Sequence, residues 1–179
     1  MGNTHEKFWF VGIVHTNTER STSLLLEQMG LQTYVPEQQR ISIRPNGRRV
    51  KSMRVVIPGI VFIYCSEEER KKMAVRAHTL RRFMMDRAGS APRPAIVSQS
   101  EIEKLRFMVG QSEIPVEFEA GCYAVGQRVC VVRGRLKGIE GIVARMEEGS
   151  SELMVRLDAL GCAKLLINNI DLQPADEES

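Results

Sequence analysis

The chain has 179 residues, 43% of them hydrophobic and 26% charged, with a formal net charge of +3. That length holds one medium domain or two small ones with a real core, and excludes dependence on disulfides for stability. The near-neutral balance excludes a uniformly basic coat, but it hides a division: residues 1–110 hold 18 Lys/Arg against 10 Asp/Glu, or +8, and residues 111–179 hold 7 against 12, or −5, so the two ends are expected to meet different partners.

Taken in order, Trp9 to His15 reads as a first strand. Thr16-Asn17-Thr18 then offers capping groups to a helix, Glu19 to Met29, closed by Gly30. Leu31 to Val35 leads through Pro36 into a second strand that ends near Arg44, and Pro45-Asn46-Gly47 turns the chain into a hairpin. Val55 to Cys65, VVIPGIVFIYC, is the most continuously apolar run. It is too short to span a bilayer and rich in β-branched and aromatic residues, so it is expected to be a central buried strand. Pro58-Gly59 interrupts the run and marks a bulge or a strand start.

Ser66-Glu67-Glu68-Glu69 is a capping box for a helix from Glu67 to about Ala77. Leu80 to Met85 has strand composition, and Asp86 to Pro94 is a loop. A second capping box, Ser98 with Glu101, opens a helix whose Ile102, Leu105 and Met108 or Val109 recur at helical spacing. The expected order is β-α-β-β-α-β-α, an α/β sandwich with helices on a mostly antiparallel sheet. Residues 110–121 have no period and are expected to link this domain, 1–109, to a second, 122–179.

In the second segment, Gln127 to Val132 and Ile142 to Met146 alternate around a glycine-spaced loop, 134–141. Leu153 to Leu157 and Ala163 to Ile167 add short strands. This spacing predicts a small SH3-like β-barrel, and therefore an α+β chain, with a frayed acidic tail at 175–179.

The chemistry-bearing residues are few. Arg40, Arg44, Arg48, Arg49, Lys51 and Arg54 occupy one hairpin with no acidic residue among them. Six like charges repel one another, so an anionic partner, with phosphate backbone the commonest, accounts for them better than solvent does. Cys65, Cys122, Cys130 and Cys162 form no CxxC pair and are expected to be reduced thiols of a cytosolic protein. His5, His15 and His78 stand at no metal-ligand spacing, so neither a metal nor a cofactor is expected. The apolar run Phe8 to Val14 is too short for a signal peptide, and Glu6 stands where a myristoylation signal needs Ser or Thr; a soluble protein with no membrane anchor is expected.

The loop G-x-x-x-G-x-x-G, with Gly134, Gly138 and Gly141 preceded by Gly126, resembles a KOW motif, and no Gly-Lys-Ser/Thr follows it to make a nucleotide loop. Together with Trp9-Phe10-Val11, Val56 to Ile63 and Arg81-Arg82-Phe83 in that order, it resembles the NusG family of transcription elongation factors over essentially the whole chain. Residues 134–141 and Pro94-Ala95-Ile96-Val97 resemble the specialised RfaH and UpxY types most.

The resemblance implies an N-terminal NGN domain that docks on the β′ clamp helices of RNA polymerase and bridges to the β subunit. It implies an apolar docking patch on this chain of Ile13, Ile57, Pro58, Gly59, Ile60 and Phe62, with aliphatic Ile57 and Ile60 where relatives carry aromatics. It also implies a β-subunit contact by Arg70, Lys71 and Lys72, and upstream or non-template DNA facing His15 and the hairpin. The KOW barrel would recruit a ribosomal protein or Rho through Leu136 and Ile139, and the factor would act as a monomer.

The expected function is therefore non-enzymatic: travelling with polymerase and suppressing pausing or termination, on restricted operons such as polysaccharide clusters. A ribosome-associated RNA-binding KOW protein is the alternative, but the −5 balance of the C-terminal part argues against it. No triad, cysteine–histidine pair, metal spacing or nucleotide loop supports an enzyme.

Overall fold

The computed structural model describes residues 6–86, 91–120, 126, 128–147, 150–157, 160–168 and 172–175. In chain order the elements are β1 (Lys7–Val14), α1 (Glu19–Gln28), β2 (Gln32–Tyr34), β3 (Glu37–Ile43), β4 (Arg49–Val55), β5 (Ile60–Ser66), α2 (Glu67–Arg76), β6 (Leu80–Phe83), β7 (Met85–Asp86), β8 (Arg93–Pro94), β9 (Ile96–Val97), α3 (Gln99–Gln111), β10 (Glu117–Ala120), β11 (Arg128–Val131), β12 (Glu140–Glu147), β13 (Ser150–Leu157), β14 (Gly161–Asn168) and β15 (Leu172–Pro174). The architecture is α+β with antiparallel pairing in each described sheet, as expected. The chain divides into two compact units, residues 1–35 with 57–99, and 36–56 with 100–179.

In the first unit the sheet runs β2-β5-β1-β6, with β9 also on β1. β1 and β5 are its interior strands, paired from Lys7↔Ser66 to Ile13↔Ile60. One face of this pair, with Phe10, Val14, Val61, Ile63 and Cys65, packs with Leu26 of α1, Met73 of α2, and Leu80 and Phe83 of β6 into a single core. Alternation along a strand sends the intervening side chains to the opposite face.

The helices have local causes. α2 opens on the expected capping box: the Ser66 hydroxyl accepts from the Glu69 N–H at 3.2 Å, and Glu69 Oε2 accepts from the Ser66 N–H at 2.8 Å. α1 ends in a Schellman motif, with Gly30 at φ +83 and bonds from the Gly30 and Leu31 N–H groups to the Glu27 and Leu26 carbonyls. Its start differs from expectation. Thr18 occupies the N-cap position but makes no side-chain cap bond, and its hydroxyl donates to the His15 carbonyl at 2.6 Å instead.

In the apolar run, β4 ends at Val55, residues 56–59 turn, and β5 begins at Ile60. Of the two readings of Pro58-Gly59, the strand start holds: Pro58 offers no ladder N–H and Gly59 sits at φ +77. The ends of the expected loop at 86–94 pair as β7 and β8, while residues 87–90 lie outside the described residues.

The second unit holds the β3–β4 hairpin, α3 and a sheet in the order β10-β14-β13-β12-β11-β15. Ile102, Leu105, Met108 and Val109, the helical stripe read from the sequence, are all buried in α3. Within residues 110–121, α3 ends at Gln111 and β10 pairs along β14 from Glu117↔Lys164 to Ala120↔Gly161.

The cysteines correct one expectation. Cys65 and Cys130 are free, but Cys162 is disulfide-bonded. His5, Cys122 and the tail at 176–179 lie outside the described residues. Among the described residues, no helix is long and apolar enough to cross a membrane.

Candidate nucleic-acid and partner interfaces

The apolar patch expected around Pro58 is not a free surface. Phe62 is 0% exposed, Ile57 2% and Ile60 7%, whereas Pro58 is exposed and Ile13 and Gly59 are partly so. Ile57, Ile60 and Phe62, expected as docking residues, are thus buried. Val61, Ile63 and Cys65 fill the helix-covered face of β5, while on the other Phe62 stacks on its cross-strand neighbour Tyr34 at 5.9 Å and Trp9 meets Tyr64 at 5.2 Å.

The turn at Pro58-Gly59 reaches the surface. Gly59 is held from two elements, its N–H donating to Glu19 Oε1 at 2.6 Å and its carbonyl accepting from the Val14 N–H at 2.9 Å. Glu19 is buried in the first turn of α1, and the sequence offered no signal for it beyond an acidic residue at a helix start.

The cationic triplet of α2 separates into two roles. The Arg70 guanidinium bonds both oxygens of Glu67, at 2.7 and 2.6 Å, and lies 5.6 Å and 5.3 Å from the ring centroids of Phe10 and Phe83. It is mostly buried, and its hydrogen bonds to Glu67 lower that carboxyl's pKa below the ordinary glutamate range. Arg70, expected as a contact residue, packs over the rings of Phe10 and Phe83. Lys71, 3.7 Å from Glu67, and Lys72 are exposed.

The hairpin places its cations outward. Arg44, Arg48, Arg49, Lys51 and Arg54 are exposed and Arg40 partly so. Gly47 at φ +75 closes a three-residue tip: the Gly47 N–H donates to the Arg44 carbonyl at 2.8 Å, the Arg44 N–H to the Arg48 carbonyl at 2.9 Å, and the Arg48 N–H to Asn46 Oδ1 at 3.1 Å. Opposed residues share a face, so Arg40 with Ser52 and Gln38 with Arg54 lie on one side, and Ile41 with Lys51 and Ile43 with Arg49 on the other. The second side also exposes Ile41, Ile43 and Met53. His15, grouped with these cations by the sequence reading, is exposed directly after β1 in the first unit.

In the glycine-spaced loop, Leu136 and Ile139, expected as partner contacts, are 8% and 3% exposed. The loop folds back: the Gly138 N–H donates to the Val131 carbonyl and the Ile139 N–H to that of Leu136, turning both aliphatic chains inward. Gly134 and Gly138 take positive φ at the turn, but Gly141 serves close approach, since a Cβ there would stand 2.5 Å from the Met154 carbonyl oxygen. Exposed on this loop are Arg133, Arg135 and Lys137, with Arg135 2.9 Å from Glu113.

Two features of the second unit had no sequence signal. Gln38 is buried, its Nε2 donating to the Ser112 and Ile114 carbonyls at 2.9 and 2.8 Å and its Oε1 accepting from the Val116 N–H at 2.8 Å. Ile114 and Leu166 are exposed, and with Pro115, Glu117, Glu152, Lys164 and Leu165 they line a cavity of about 350 Å³. Among the described residues, no group of three His, Cys, Asp or Glu could hold a metal.

The family model described as NusG, transcription termination factor nusG, matches residues 7–106. The transcription termination/antitermination protein NusG of Synechocystis is 25% identical over 175 residues, which cover 87% of this chain and 83% of that protein. Its namesake from Deinococcus radiodurans is 25% identical over 139 residues, 73% of each. Among solved structures, one titled for domain interaction in Thermotoga maritima NusG aligns with a TM-score of 0.49 at 15% identity, covering 96% of this chain and 98% of that one. A chain of the MjSpt4:Spt5 complex aligns with a TM-score of 0.32 at 14% identity, covering 95% and 99%.

Proposed function

The chain belongs to the NusG family of transcription termination and antitermination factors, and from that premise we propose that it rides on elongating RNA polymerase in the cytoplasm and suppresses pausing and termination. It works by binding and catalyses nothing. The observation that carries the reading is the hairpin of six cations, five exposed and Arg40 partly so, with no acidic residue among them, an electrostatic footprint for polynucleotide beside the enzyme.

In this reading residues 1–109 act as an NGN domain, 110–121 as a connection and 122–179 as a KOW domain. The Pro58-Gly59 turn, with Ile13 beside it, meets the β′ clamp helices, and Lys71 and Lys72 face the β subunit. His15 and the hairpin lie along upstream or non-template DNA. Holding both sides of the polymerase cleft disfavours the open, paused state, which needs a differential affinity of only about 1–3 kcal/mol. The loop at 134–141 and Pro94 to Val97 favour a specialised paralogue of the RfaH or UpxY type working on a restricted set of operons, with the KOW domain recruiting a ribosomal protein or Rho.

The test is transcription in vitro past a strong pause and an intrinsic terminator on the chain's own operon leader, with cognate polymerase. Shorter pauses and greater read-through are expected. Unchanged pause lifetime and unchanged read-through would overturn the proposal.

A further inference from the structure

We infer that Glu19 is a positioning residue that sets the Pro58-Gly59 turn in the conformation it presents to a partner; the consequence for binding rests on the docking reading above. Within the apolar run, Ile57 and Ile60 on either side of this turn are buried, while Pro58 at the turn is exposed and Gly59 partly so. A Pro-Gly pair left to itself is not confined to one shape, because glycine visits positive and negative φ with equal ease. Here Gly59 is fixed at φ +77 by bonds on both sides of its α-carbon, one to the carboxylate of α1 and one from the backbone of β1. The first of these is charge-assisted and short.

An acidic residue in the first turn of a helix also favours the helix dipole, and that role is best served in water by an exposed side chain. Glu19 is buried instead, which carries a desolvation cost that the dipole alone does not require. Its Oε1 lies on the Gly59 amide, 40 residues away along the chain. The two roles make opposite demands: a dipole partner needs the charge, and a clamp needs an oxygen acceptor at that point. Glu19→Gln keeps the acceptor and removes the charge.

The experiment uses the full chain in four forms: Glu19→Gln, Glu19→Ala, Gly59→Ala and the double variant Glu19→Ala/Gly59→Ala. Backbone amide exchange at Gly59 is followed by NMR in the free proteins, and affinity for cognate core polymerase by titration. Loss of one charge-assisted bond predicts, in Glu19→Ala, about tenfold faster exchange where Gly59 is observed and about tenfold weaker polymerase binding. Glu19→Gln is expected to stay near wild type in both, and the double variant to bind no more weakly than Gly59→Ala, since both changes free one turn.

A folded Glu19→Gln protein that binds as poorly as the alanine variant overturns the inference in favour of the charge. Multiplying losses in the double variant overturn it in favour of independent effects. A Gly59 amide that exchanges no faster in Glu19→Ala overturns the clamp itself, and this readout involves no polymerase. A wild-type chain that does not bind polymerase, with the exchange result as expected, overturns the docking reading and its consequence here. Should Glu19→Ala fail to fold, Glu19→Gln against wild type decides between acceptor and charge: unchanged Gly59 exchange and binding support the acceptor, and about tenfold losses overturn it.

Discussion

Single side chains decide which parts of the apolar run are available to a partner. Phe62 fills the sheet interior, so Phe62→Ala is expected to lower the free energy of unfolding by about 3–5 kcal/mol, measured as the shift in denaturant midpoint. Pro58→Ala is expected to leave that midpoint nearly unchanged while weakening polymerase binding. Cys65 shows the same interior from a chemical side: burial, with Glu69 next in effect, pushes its thiol pKa up to about 12. Its thiolate is therefore scarce at mild alkaline pH, and a thiol reagent on the native protein is expected to modify Cys130 and to reach Cys65 only after denaturation. Because the folded thiol holds its proton more tightly than the unfolded one, stability is expected to decline as pH rises from about 9 towards 12.

At the level of the element, the hairpin and α2 give separable expectations. Replacing Arg48, Arg49 and Lys51 with Gln should weaken polynucleotide binding and reduce the slope of log affinity against log salt by about 0.7–0.9 for each phosphate no longer neutralised. An unchanged slope would return these side chains to a plain solvated face. In α2, Ser66→Ala should cost about 1 kcal/mol through its lost cap. Glu69, whose carboxyl pKa is lowered first by the Ser66 N–H, contributes stability at neutral pH that fades as pH falls through its folded value. Glu69→Gln should flatten that part of a stability-against-pH curve, by a small amount because the side chain is partly exposed.

These elements also mark how far the amino-acid order could be read. The Ser66/Glu69 box, the Pro-Asn-Gly hairpin tip and the α3 stripe are local devices, complete within a few residues, and each appears where its pattern places it. The apolar run could not be apportioned that way, since period-two alternation is invisible when both faces are greasy. The order of residues therefore left Phe62 open to being either core or contact. Strands β10 and β15 are three or four residues long and exist because longer neighbours accept them. Glu19 and Gln38 escaped for a related reason, each being a polar side chain whose partners lie 40 or more residues away.

Across the whole molecule the chain is interleaved: the hairpin leaves the first unit after Val35 and the chain returns to it at Ile57. Gln38, at the root of that hairpin, joins it to the stretch between α3 and β10 through three backbone groups. Gln38→Leu, near in size but without partners for Ser112, Ile114 and Val116, should lower stability by about 1–3 kcal/mol, and Gln38→Glu, which loses the two donors, by a similar amount. Calorimetric melting of the full chain would measure both.

That mooring grips main chain alone. Lineages descending from this protein could therefore respell residues 112–115 letter by letter and keep the segment tied at the same spot. One substitution would cut a strand of that rope: proline in place of Val116, which has no hydrogen for Gln38 Oε1 to hold and leaves the two carbonyl bonds to carry the tie.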